Sequence, residues 1–137
     1  MKLTGGCHCG SVRFTCDGEI GWAGHCHCRD CQLTSGAPLV TWISVQRPTV
    51  EITGTRRVYR SSSKGLRSFC PHCGALLFFE SDRPDHRQAT IDIAVACLDE
   101  PDRIVPEVNI FVPSRPRFMK GFDKDLPSYD GNSPGQE

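Results

Sequence analysis

The chain is short of large side chains, long apolar runs and net charge, and each shortage excludes something. Its 137 residues include two tryptophans, two tyrosines and two methionines. A chain of this length forms one domain and buries about two-thirds of its unfolded surface, so the core is thin. No stretch approaches the roughly 18 apolar residues of a membrane-spanning helix, and no membrane partner is expected. Sixteen Lys and Arg offset 16 Asp and Glu, which removes the bulk-charge argument for a nucleic-acid or lipid surface. Arginine outnumbers lysine 12 to 4, yet no basic stripe with stacking aromatics accompanies it, and nucleic acid is not an expected partner. The opening MKLTGGCHCG carries neither an apolar run nor a cleavage region, so no secretory leader is expected.

Cysteine, by contrast, is plentiful and clustered. Seven of the nine fall into Cys7-His8-Cys9, Cys26-His27-Cys28-Arg29-Asp30-Cys31 and Cys70-Pro71-His72-Cys73. An odd cysteine count without a leader points to a reducing cytoplasm, where such spacings mean metal rather than disulfides. Zinc held by thiolates is tetrahedral with Zn–S near about 2.3 Å, so the sulfurs of one site must converge to under about 4 Å. Seven ligands divide unevenly. Local economy pairs Cys7 and Cys9 with Cys70 and Cys73 in one closed site, stapling distant segments. Cys26, Cys28 and Cys31 then form a second site with one position open, giving two zinc ions per chain. Three thiolates make that second metal soft and already anionic, so a small thiol suits the open position better than water. A thiol held as thiolate is a nucleophile at neutral pH, and an electrophilic carbon is its natural target.

The histidines are a weaker signal. If the C-x-C stretches are extended, residues i and i+2 share a face, and His8, His25 and His27 turn away from the metal, either to the surface or to positions behind the ligands. His27 is therefore not expected to complete the second site. Frequent Gly (13) and Pro (10) favour short strands and turns. Alternating or β-branched runs predict strands at Ser11–Cys16, Leu39–Val45, Thr49–Thr53, Val58–Arg60, Leu66–Phe69, Ala75–Glu80, Thr90–Val95 and Pro106–Val112. Ser81–Arg87 reads as a polar loop, and Arg29–Thr34 as a helical turn. From about Pro127 apolar periodicity is lost, and the tail is expected to fray.

Three stretches carry a resemblance: T-G-G-C-H-C-G-S-V-R-F (Thr4 to Phe14), H-C-H-C-R-D-C-Q-L-T-S-G (His25 to Gly36) and F-C-P-H-C-G-A-L-L (Phe69 to Leu77). Their order and spacing resemble the glutathione-dependent formaldehyde-activating enzyme family, from about residue 3 to Tyr129 with a closing D-L-P-S-Y. The resemblance implies a mostly-β single domain, the zinc-bearing β-tent also seen in Mss4-like proteins, over residues 3–129, followed by a flexible tail at 130–137. It implies a structural zinc on Cys7, Cys9, Cys70 and Cys73 and a catalytic zinc on Cys26, Cys28 and Cys31. The implied activity is a carbon–sulfur lyase reaction joining glutathione and formaldehyde as S-(hydroxymethyl)glutathione, in the cytoplasm. This chain departs from the family pattern at Val108-Asn109-Ile110, where a histidine is usual, and at Phe118-Met119, where a tryptophan is usual. Both departures bear on the substrate side.

Other residues carry two readings each. Cys16 and Cys97 read as small buried hydrophobes. Trp22 and Trp42 read as core or as walls of a substrate pocket. Of Phe78 and Phe79, one faces the core and the other outward. Arg29 either offsets the thiolates, holds a substrate carboxylate or lies on the surface. Asp30 reads as a hydrogen-bond acceptor behind the ligands or as an ordinary surface acid. Ser35-Gly36 serves the turn after the triplet, His86 is solvated, and Asn109 has no assigned role. Three function classes remain: an enzyme acting on a glutathione adduct, a non-catalytic zinc module or glutathione carrier, and an iron–sulfur or redox protein. The cysteine spacing fits the last poorly.

Overall fold

A computed structural model describes residues 2–81 and 89–136. The chain is one small, mostly-β domain. Among the described residues the strands are β1 (Leu3–Gly6), β2 (Arg13–Cys16), β3 (Trp22–Cys26), β4 (Val40–Gln46), β5 (Val50–Thr53), β6 (Arg57–Arg60), β7 (Gly65–Phe69), β8 (Leu76–Ser81), β9 (Thr90–Ala94) and β10 (Val108–Ile110), with one α-helix, α1 (Arg29–Ser35). Among the described residues no helix is long and apolar enough to cross a membrane. Most expected strands are present with ends shifted by a residue or two. The expected polar loop at Ser81–Arg87, with His86, lies outside the described residues except for Ser81, which ends β8.

Two sheets form. β1, β2 and β5 make a small antiparallel sheet, and the large sheet runs β10-β3-β4-β9-β8-β7-β6. The small sheet covers one face of the large one. Leu3, Phe14, Cys16 and Val50 meet Ile43, Val45, Phe78, Ile91 and Ile93 in the principal core. Phe14 and Phe78 pack edge to face at 5.3 Å, an arrangement the ring quadrupoles favour. Gly5 pairs with Leu98, and a Cβ there would strike the Cys97 carbonyl; only glycine lets the two backbones approach this closely.

Strand alternation sends the intervening residues to the opposite face. Across five strand pairings the Cα partners read Trp22, Ser44, Asp92, Phe79, Arg67 and Tyr59 in one row. The next row carries Gly24, Trp42 and Ala94, and the one beyond it Cys26 and Val40. Among the described residues no sheet covers this second face. Helix α1 crosses one end of it instead.

Two expectations are corrected here. The Cys7–Cys9 stretch is a turn and not a strand: Gly10 N–H closes onto the Cys7 carbonyl at 3.2 Å, with Gly10 at φ 82°. The segment from Pro127, expected to lack structure, is hydrogen-bonded to the sheet. Asn109 N–H donates to Pro127 O and Tyr129 N–H to Asn109 O, each at 2.9 Å, and Trp22 Nε1–H donates to the buried Ser133 hydroxyl at 2.9 Å. The cause is β10, an edge strand whose free backbone groups capture the segment; its composition is indifferent to that.

Candidate metal centres and the adjoining cavity

The sulfurs of Cys7, Cys9, Cys70 and Cys73 all lie within 4.8 Å of one another, and so do those of Cys26, Cys28 and Cys31. Each group can hold a metal ion. In the four-thiol group Cys7 and Cys9 come from the turn after β1, and Cys70 and Cys73 from the turn after β7. Cys7 Sγ is 3.6 Å from Cys9 Sγ, and Cys9 Sγ is 3.7 Å from Cys70 Sγ. The edge of a tetrahedron with Zn–S near 2.3 Å is about 3.8 Å, so the spacing fits. Gly74 at φ 78° lets its N–H return to the Cys70 carbonyl at 2.8 Å, which tightens the second turn. The donors nearby are local. Val12 N–H reaches Cys7 Sγ at 3.3 Å, His72 N–H reaches Cys70 Sγ at 3.4 Å, and the Ser11 hydroxyl sits 3.1 and 3.2 Å from Cys9 and Cys70. The Ser11 hydroxyl, with the Cys73 and His72 amides, pulls the Cys70 thiol down to about 6.

The three-thiol group is assembled differently. Cys26 ends β3. Cys28 is the N-cap of α1, its sulfur accepting from Cys31 N–H at 3.3 Å. Cys31 lies one turn in, buried. Gly36 ends the helix in the left-handed region at φ 70°, the conformation glycine adopts without penalty. Cys26 and Cys28 sulfurs are 3.3 Å apart. Two long side chains from the uncovered face reach Cys31 Sγ: Trp42 Nε1–H at 3.4 Å and an Arg67 N–H at 3.5 Å. The thiols divide their protons unequally. Hydrogen bonds from Cys26 and Cys31 hold Cys28 down near 2, while Cys26 is pushed up by Cys28, Cys31 and burial. Three thiols this close support one thiolate among themselves, and a dication is the group that would let all three ionise.

A cavity of about 530 Å³ opens beside this triplet and is lined by all three of its cysteines and by none of the other four. Trp22, Trp42, Phe79 and Phe111 form its apolar walls, and Lys64, Arg67 and Asp92 bring charge to its lining. Phe111 takes φ 55°, a left-handed conformation costing a non-glycine residue about 1–2 kcal/mol. Burial pushes the Asp92 carboxyl up to about 6, with Ser44 and Arg67 pulling the other way. Arg67 is itself buried. It is held by the Ser61 hydroxyl at 2.9 Å and stacks over the Phe79 ring at 5.0 Å.

Of the paired readings, both tryptophans line the cavity, Phe78 faces the core and Phe79 the cavity, and Cys16 is fully buried. Cys97 is half-buried, its thiol donating to Leu76 O at 3.0 Å. Arg29 makes no hydrogen bond to the thiols; it donates to Oε1 of the buried Gln32 at 2.6 Å. Asp30 lies at the cavity rim. His25 and His27 join neither thiol group, and neither reaches the surface. His25 bridges Thr41 and Asp123 at 2.8 and 2.6 Å. His27 Nε2–H donates to Asn109 Oδ1 at 2.8 Å, and Asn109 Nδ2–H donates on to Asp123 O. Burial lowers the His27 pKa, and its Nδ1 has no partner among the described residues. Sequence reasoning missed Arg67 and Asp92 as site residues. The available signal was a charged side chain in the middle of each of two predicted strands, on the parity opposite the core.

Comparison with known proteins places this geometry in context. The family model described as "Glutathione-dependent formaldehyde-activating enzyme" matches residues 2–114. An uncharacterised lyase of Schizosaccharomyces pombe is 31% identical over 78 residues, which is 57% of this chain and 57% of that protein. The match thus spans less than two-thirds of the relative's length. A crystal structure of a Rhodobacter sphaeroides protein superposes with a TM-score of 0.56 over 92% of this chain and 98% of that one, at 19% identity. That likeness concerns the fold alone.

Proposed function

The chain belongs to the glutathione-dependent formaldehyde-activating enzyme family, and from that premise we propose that it is a zinc-dependent carbon–sulfur lyase or synthase acting on glutathione and a small aldehyde. Cys7, Cys9, Cys70 and Cys73 would hold a structural zinc, and Cys26, Cys28 and Cys31 a second zinc at the reaction site. The observation that carries the reading is that the triplet, and not the quartet, opens onto the cavity. When bound there, zinc supplies a position that keeps an incoming thiol deprotonated.

The chain's own residues do the rest. Trp42 and Arg67 donate to Cys31 Sγ, and the buried guanidinium offsets the negative charge of a thiolate-rich centre. The aromatic walls exclude water and hold the aldehyde against the sulfur, and such proximity is a large source of rate in a two-reactant addition. In the forward direction a carbon–sulfur bond forms and the carbonyl π bond is lost. The proton released by the thiol ends on the new hydroxyl oxygen. The reverse reaction is the lyase. A reducing cytoplasm suits seven thiols that must stay unoxidised.

Exchange NMR with labelled formaldehyde and glutathione tests the proposal. Faster exchange with the zinc-loaded protein, lost in Cys28→Ser, is the expected result. Glutathione binding without faster exchange makes the protein a carrier of the adduct. Neither binding nor exchange overturns the reading and favours a non-catalytic zinc module.

A further inference from the structure

Resting on that reading, we propose that Asp92 is the subsite for a substrate ammonium group, so that this protein selects thiols that also carry an ammonium. The geometry is that of the row across the uncovered face. Asp92 lies beside Ser44 and Phe79, with Arg67 the next residue along. Arg67 and Asp92 are thus two strands apart, about 9–10 Å at the backbone. The Arg67 guanidinium reaches back to Cys31 Sγ. The Arg67 cation therefore serves the thiol end of the cavity; Lys64 also lines the cavity but makes no ion pair with Asp92 among the described residues.

Arg67 is not free to cross over. It already contacts Ser61, Thr34, Cys31 and the Phe79 ring. Asp92 has no ion pair among the described residues, although it is half-buried in the cavity lining. A desolvated carboxylate without a cation is costly, and the cost is recovered when a cation is brought to it. Burial's upward push on the Asp92 carboxyl, to about 6, records the same deficit. Glutathione carries a thiol and a γ-glutamyl ammonium on one molecule, matching the triplet and Asp92, which line the same cavity.

Calorimetry on the zinc-loaded protein with glutathione and with N-acetylglutathione, whose ammonium is acylated, decides the matter. A charge-assisted hydrogen bond of about 1.5–3 kcal/mol corresponds to roughly a 10- to 100-fold preference for glutathione. Asp92→Asn is expected to abolish that preference by weakening glutathione alone. Wild-type protein that binds both thiols equally overturns the inference and leaves the functional reading standing, and this comparison needs no variant. Asp92→Asn that weakens both thiols alike, or that slows turnover without changing affinity, also overturns it. Wild-type protein that binds neither thiol overturns the functional reading and this inference together.

Discussion

The two cysteine groups solve one geometric problem in different ways. The quartet is built from two turns, and its nearby donors are backbone amides and one short hydroxyl within a few residues of the ligands. It binds itself. The triplet takes its two extra donors from Trp42 and Arg67, which are 11 and 36 residues from Cys31 and arrive only through the large sheet. Its environment is a property of the whole fold. A local, saturated group suits a staple, while a group one thiol short and facing a cavity suits a site whose chemistry the surrounding strands can tune.

The largest difference should appear on removing a ligand from each. Cys70→Ser is expected to unfold the domain, because zinc-site free energies of about 10–16 kcal/mol match or exceed the stability of a small domain. Cys28→Ser is expected to stay folded with one zinc in place of two. Circular dichroism with elemental analysis reads both, and equal unfolding by the two variants would erase the distinction between staple and site.

A smaller contrast concerns the environment of each group. Arg67→Met keeps the stem but removes the guanidinium donor to Cys31, and metal affinity at the triplet should fall about 10- to 100-fold. Chelator competition would resolve this as faster loss of one zinc while the other is retained. Loss of both at equal rates would mean the two groups are coupled.

Next comes pH, acting through Asp92. Its folded pKa is raised above the usual carboxylate value to about 6, so folding favours the protonated acid. Its contribution is fully present below about pH 4 and is lost as pH rises through 6. Asp92→Asn should therefore exceed wild type in stability by about 2 kcal/mol above pH 7. That margin should shrink as the pH is lowered toward 5. Melting temperatures across that window would show it, and a constant margin would contradict the burial argument. Ser11→Ala should give the smallest effect, a loss of about 1 kcal/mol at the quartet, seen as a shift of a few degrees in melting temperature.

Much of the fold was legible in the chain because strand alternation and cysteine spacing are local signals. Val40–Gln46 and Thr90–Ala94 announce themselves by β-branched residues, and the helical turn after Cys28 by the absence of alternation. The thiol groups were legible because ligands one or two residues apart leave few ways to converge. What could not be read depends on which strands become neighbours. Arg67 and Asp92 sit 25 residues apart in sequence and meet across β8 only through the sheet order. Arg29, adjacent to Cys28, invited a role at the thiols, whereas its guanidinium is held instead by Gln32 Oε1. The segment after Pro127 looked unstructured for a related reason. Its attachment is to the backbone of β10, which no property of its own side chains announces.

The row running from Trp22 to Tyr59 also bears on how relatives can diverge. Each of its members belongs to a different strand, and at Ser44, Asp92 and Phe79 the immediate chain neighbours Ile43, Ile91 and Phe78 are committed to the opposite face. A substitution at one of these three positions changes the cavity lining while leaving those core neighbours and the seven cysteines in place. Recognition can thus drift by single exchanges at constant architecture. Chains with the same seven cysteines but another residue at the position of Asp92 should accept other thiols, so the metal signature marks descent more securely than it marks substrate.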